Sequence, residues 1–247
     1  LKAKAFYGRN GTKKQLTERK PISMQNIFIL FFSFAFWFIS TEKQTIEKDW
    51  PAELNTAKHA NYLNELEQDV ILELNKVRSN PKQYAEDYLE ELRTAFKGKL
   101  YTYPGQITVK SQEGIRPLEE CIQVLKKTEA MPILNPAEGL AKAAAELVAD
   151  QQKHGGIGHI TRRGLTPKMR IEKYGEWDIC SAEDITYGSF EARQIVIALL
   201  IDDGVPGRGH RENILNACSR FVGVANGGHP NYDSMCAIDY AGVYKTK

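Results

Sequence analysis

An apolar run from Met24 to Ser40 limits this chain most, because Ile27 to Ile39 is broken only by Ser33 and no charge follows before Glu42. A segment of this kind is not a surface element of a folded body. It is shorter than the roughly 20 residues that span a bilayer and matches the hydrophobic core of a secretory signal. Residues 24–40 are therefore read as a signal peptide or, alternatively, an uncleaved signal anchor. The anchor reading draws on Lys13, Lys14, Arg19 and Lys20, which satisfy the positive-inside bias, and on the lack of a small-x-small cleavage site near Ser40. Residues 1–23 form a basic leader that opens on Leu1, so a fragment or a mis-assigned start is expected there, with Met24 as the initiator. The expected location is extracellular, the alternative being a membrane-anchored exoplasmic domain. Membrane contact is expected only with an uncleaved anchor.

The leader also carries the chain's basic excess: seven Lys/Arg and one Glu lie before residue 24, leaving 26 Lys/Arg against 30 Asp/Glu, or −4, for the remainder. A folded body of that sign gives no electrostatic case for nucleic-acid binding. Export places Cys121, Cys180, Cys218 and Cys236 in an oxidising compartment, where three pairings are open. None forms a CxxC, so a thiolate zinc site has no support; buried free thiols or one structural bridge are expected.

Periodicity organises the rest. Residues 41–60 are polar and read as a linker. Leu63, Leu66, Val70, Leu74 and Val77 form a helical stripe ending before Asn80-Pro81, and Tyr84, Ala85, Tyr88, Leu89 and Leu92 form a second after it. Gly98 to Glu113 reads as an irregular loop, and a third helix follows Pro117. Pro136 to Gln152 is helical, with Leu140, Ala143, Ala144, Leu147 and Val148 on one face and Gly155-Gly156 as its stop. A His-bearing loop, a short helix over 167–174, an extended segment Ser181 to Tyr187, an apolar helix Phe190 to Ile201 and a helix from His210 to Leu215 come next. Two β runs, 221–225 and 235–240, close the chain as an antiparallel pair. Helices around a few antiparallel strands give an α+β fold. Residues 61–130 are taken as an N-terminal helical extension and 131–247 as the main domain.

His159, His210 and His229 each follow a glycine or lie in a glycine-rich loop of the second half, away from helix core positions. Glu183 sits in an otherwise apolar or small run, where burial demands a cationic or imidazole partner. Asp202 and Asp203 end a helix, an unfavourable place for anions unless a cation such as Arg208 or Arg211 compensates. His210 starts a helix, whose positive end favours neutral imidazole, the form that binds a divalent metal. GxSxG, HExxH, GxGxxG and P-loop patterns are absent.

The run Gly209-His210-Arg211-Glu212-Asn213-Ile214-Leu215-Asn216, preceded by Leu200 to Val205 and by Ala182-Glu183-Asp184-Ile185, resembles the SCP domain of the CAP superfamily. Leu74 to Pro81 resembles the opening helix of its SCP-like extracellular branch. The resemblance implies an α-β-α sandwich with a small central antiparallel sheet, a secreted location, and a cleft of two histidines and two acidic residues. Carried over, Glu183 and His210 match an acid and a histidine of that cleft, and Asp203 falls near the second acid. The other histidine aligns with Leu147, which ligates nothing; a cation would then be held by His210 and Glu183 with His159 or His229 as substitute. The resemblance further implies a non-enzymatic module for a lipid, sterol or protein ligand, needing no cofactor. A zinc- or other divalent-metal-assisted hydrolase using Glu183 and His210 is the alternative.

Overall fold

The structure, a computed structural model, describes residues 49–102, 108–189 and 191–247. The leader, the signal segment and residues 41–48 of the expected linker lie outside them. Helix α1 (Glu65–Ser79) starts at a reciprocal capping box: Asn64 Oδ1 accepts from Glu67 N at 3.0 Å and Glu67 Oε2 accepts from Asn64 N at 2.9 Å. Its stripe of Val70, Leu74 and Val77 is fully buried. Pro81 opens α2 (Pro81–Tyr84), which passes into a π turn, Ala85–Leu89, and a 3-10 stretch, Glu91–Ala95, and the whole second stripe is buried. Residues 49–60, expected as linker, fold onto this layer through Leu54, Ala57 and Ala60.

The loop expected over 98–113 is replaced by a small antiparallel sheet of β1 (Phe96–Lys97), β2 (Leu100–Thr102) and β3 (Thr108–Lys110). Strands of two and three residues are too short to show alternation in sequence. Helix α3 (Arg116–Lys127) follows, burying Leu118, Cys121, Ile122 and Leu125.

The main sheet has the order β4-β6-β7-β5, from β4 (Asn135–Pro136), β5 (Gly175–Tyr187), β6 (Phe221–His229) and β7 (Asp233–Thr246). All pairs are antiparallel except β4 with β6. Helices α4 (Glu138–His154), α5 (Pro167–Tyr174), α6 (Ala192–Ile201) and α7 (Gly209–Ile214) complete the fold. Strand alternation assigns the two faces. Val222, Val224, Cys236, Ile238 and Tyr240 join one core with α1, α3 and α6, whereas Ala225, Met235, Ala237 and Ala241 pack under α4 and α5. The result is the expected α-β-α layering of an α+β fold. Residues 61–130 supply half of the larger core, so no packing boundary falls at residue 131.

Candidate functional site

Neighbouring residues on β5 reach opposite faces of the sheet, and this separates the expected cleft residues into two groups. Glu183 points to the α4/α5 face. There its carboxylate, almost fully buried, accepts from Arg170 Nη2 and lies 2.8 Å from His159 Nδ1. Arg170 has no exposed surface and also donates to the carbonyls of Ala143 (3.2 Å), His159 (2.9 Å) and Leu165 (3.0 Å). The cation that the burial of Glu183 demanded is thus Arg170, with His159 as a half-exposed second partner. Asp239 stands opposite Glu183 in the β5/β7 register. Its buried carboxyl has no hydrogen-bond partner, and burial together with the facing Glu183 holds it far above the usual carboxylate range, hence neutral.

Asp184 points to the other face, toward His210 and Asn213. Its Oδ1 accepts from Asn213 Nδ2 at 2.7 Å, Oδ2 has no partner, and burial pushes the carboxyl up to about 7. His210 is held by Asp202 twice, through its backbone N–H (2.9 Å) and its Nδ1 (2.7 Å). Asp202 is the left-handed cap of α6. Its hydrogen bond raises the His210 pKa, the opposite direction to that expected at a helix start. No hydrogen bond or ion pair among the described residues joins His210 to Glu183.

The remaining expectations fall elsewhere. Asp203 accepts from the backbone N–H of Gln112 (2.6 Å) and Glu113 (3.0 Å) and so pins the segment before α3 instead of meeting His210. Arg208 and Arg211 do not compensate Asp202 and Asp203: Arg208 pairs with Glu113 (2.7 Å) and Glu120 (3.2 Å), and Arg211 with Glu120 (2.9 Å). His229 is buried, its Nε2 donating to Gly156 O (2.8 Å) while Nδ1 accepts from Asn231 N (3.2 Å), which leaves it no free donor atom for a ligand. The residues that sequence reasoning missed are Arg170, Asp184 and Asp239, and Asp202 was assigned the wrong partners. Arg170 carried no signal beyond a charge next to Ile171 in a short helix.

Among the described residues, the expected ligands Glu183 and His210 do not form a divalent-metal site. Both Glu183 oxygens are engaged by Arg170 and His159, and among the described residues no three His, Cys, Asp or Glu side chains converge. Two hollows of about 390 Å³ open on the described surface, one between α3 and α7 lined by Val124, Leu215, Glu120 and Arg211, the other beside Trp50 and Leu72. A third, of about 630 Å³, is lined by Gln112, Glu113, Arg116, Glu120 and the 204–208 loop. An apolar one, between Tyr62, α4 and Val224-Ala225, holds about 150 Å³. No helix of the described residues is long and apolar enough to cross a membrane.

Against known families, residues 73–240 match the model of the cysteine-rich secretory protein family, CAP, from within α1 to Tyr240 on β7. The chain belongs to the CAP family. The CAP match begins 58 residues before the boundary expected at 131, consistent with α1 sharing its core with the main sheet. Leu147, which the resemblance sets where the family has its other histidine, is fully buried with Ala144, Val148, Ile185, Ala225, Met235 and Ala237. No curated protein matches the chain. Among solved structures, an outer surface protein from Borrelia burgdorferi is 22% identical with a TM-score of 0.38, covering 52% of this chain and 89% of its own. An extracellular protein containing a SCP domain from Bacillus anthracis is 18% identical with a TM-score of 0.35, covering 45% of this chain and 34% of its own.

Proposed function

We propose that this CAP protein is an extracellular, non-enzymatic binding module whose ligand is a protein or peptide. The observation that carries the reading is the dispersal of the cleft's acids and histidines into pairs, Glu183 with Arg170 and His159, and His210 with Asp202. Glu183, His159, His210 and Asp202 each engage another side chain, whereas a hydrolytic centre aims such groups at one reacting atom. The linings of the hollows favour a polar ligand over a lipid or sterol. The apolar hollow beside Tyr62, about 150 Å³, is below the roughly 300 Å³ at which pockets enclose a small molecule, and the one of about 390 Å³ between α3 and α7 sets Val124 and Leu215 among Glu120, Arg208, Arg211 and Glu212. The one of about 630 Å³ is lined by charged side chains instead. The Cys180–Cys218 bridge and the family's secretory character support the extracellular location.

Peptides selected from a displayed random library against the full chain test this reading. Binding is expected to fall at least about tenfold, or 1.4 kcal/mol, in Arg116→Glu and Glu120→Lys, with no stoichiometric zinc heat by calorimetry. Saturable zinc binding that His210→Ala removes would overturn it in favour of the hydrolase.

A further inference from the structure

The connection between α4 and α5 is held by several hydrogen bonds, yet it leaves large apolar side chains in solvent. Gln151 Nε2 donates to Gly158 O (2.6 Å), His229 Nε2 to Gly156 O (2.8 Å) and Arg170 Nη1 to His159 O and Leu165 O, while Tyr187 Oη accepts from Gly158 N (2.9 Å). Thr161 closes an inner turn by accepting Leu165 N on its hydroxyl (3.0 Å) and Gly164 N on its carbonyl (2.8 Å). These bonds turn the loop's backbone polar groups inward. Ile157, set between Gly156 and Gly158, is nevertheless 68% exposed, and Ile160 is 60% exposed. A pinned loop that holds two isoleucines in water loses hydrophobic stabilisation it could have gained by folding them in.

The charge around these residues is mainly basic, with Asp150 of α4 beside them, its Oδ2 accepting from Arg162 N at 2.8 Å. No Asp or Glu occurs from Gln151 to Ile171. Lys153, Arg162 and Arg163 are exposed and form no ion pair among the described residues, whereas Lys168 nearby is paired with Glu172. This lies in a body whose charge after residue 40 is −4. Exposed isoleucines flanked by basic side chains without ion pairs, Arg162 Nη1 lying 3.3 Å from His154 Nδ1, suit an anionic lipid surface, which takes up the apolar tips while its headgroups meet Lys and Arg. None of the hollows described above includes a residue of this loop, so its isoleucines project from a surface that offers a protein partner no recess to enter. A bilayer needs no such recess.

We infer that the 153–163 loop docks this protein on membranes bearing anionic headgroups, inserting Ile157 and Ile160 between Lys153, Arg162 and Arg163. This surface is separate from the charged hollow proposed for the peptide ligand, so either assignment stands or falls alone. Because the 24–40 segment could itself attach the full chain to vesicles, the test reads the loop locally. An environment-sensitive thiol dye is placed at Ile160→Cys, with Lys110→Cys on β3 as control; Cys121 and Cys236 are buried and the other two cysteines are bonded, so only the new thiol reacts. On phosphatidylserine-containing vesicles at low salt the dye at position 160 is expected to shift to the blue and gain protection from acrylamide, while position 110 does neither. Pure phosphatidylcholine gives no response. Each basic side chain near an anionic surface contributes about fivefold to partition, so Arg162→Gln with Arg163→Gln weakens the response about thirtyfold. An aqueous dye at 160 on the anionic vesicles, or an equal response at 110 or on phosphatidylcholine, overturns the proposal. A response to soluble polyglutamate but not to vesicles also overturns it, in favour of an acidic protein surface.

Discussion

Asp184 illustrates how a single side chain sets a pH dependence. It has no exposed surface, one oxygen bonded to Asn213 and the other to nothing, and burial pushes its carboxyl up to about 7. A carboxyl whose folded pKa lies above its unfolded value near 4 binds more protons in the native state. Its favourable share is complete below about pH 4 and is lost as pH rises through 7. The His210 pKa, raised by Asp202, has the same sign, its contribution vanishing as pH rises through the folded value. Asp184→Asn keeps an acceptor for Asn213 and removes the carboxylate. The variant is expected to match the wild type near about pH 4 and exceed it by up to about 4 kcal/mol near about pH 8. Urea denaturation at both values checks this, and a gap that does not widen with pH would count against it. The same residue shows why the site was only half legible. Glu183 and Asp184 are adjacent in sequence, but on a strand they face opposite layers, and only the strand's orientation decides which meets Arg170 and which meets Asn213.

Among the elements, those with long apolar stripes were legible and those defined by pairing were not. The stripes of α1, α3 and α4 all read correctly because burial of one helical face leaves a three- and four-residue spacing. Strands β6 and β7 were expected as 221–225 and 235–240 but run Phe221–His229 and Asp233–Thr246. Their extensions carry Asn226-Gly227-Gly228 and Lys245-Thr246, residues whose strand state comes from ladder pairing with each other and with β5, not from intrinsic preference. The tightest element contact also rests on a residue with no apolar signal. Gly223 of β6 lies directly beneath α4, where an added Cβ would overlap the backbone of Leu140 and Ala141. Backbone on both sides leaves no flexible side chain to give way. Gly223→Ala is therefore expected to lift α4 from the sheet and to cost at least about 3 kcal/mol, the upper range for overpacking. The melting temperature of the variant measures it; a change smaller than a few degrees would mean that α4 slides along β6 at little expense.

At the scale of the whole molecule, one covalent link joins the far edge of the sheet to the connection between its two outer-layer helices and its central hairpin. Cys180 on β5 is bonded to Cys218, between α7 and β6, across 38 residues. Closing a loop of that length removes unfolded-state entropy worth about 4 kcal/mol in the chain-entropy treatment. That is comparable to the whole margin by which a small domain is stable, about 5–15 kcal/mol. The other two cysteines behave differently. Cys121 sits in the α3 core and Cys236 on β7, both buried, with desolvation pushing the Cys121 thiol up to about 12 and Cys236 higher still. Neither is poised as a nucleophile or metal ligand, because the reactive thiolate is suppressed. Two expectations follow from this division. A thiol reagent should find no reactive cysteine in the native chain and two after unfolding without reductant. The double variant Cys180→Ala with Cys218→Ala should unfold about 4 kcal/mol more easily while keeping the same spectrum at low denaturant. Four reactive thiols on unfolding, or a double variant as stable as the parent, would show that the bridge does not hold the fold, and would remove the disulfide from the case for an extracellular location.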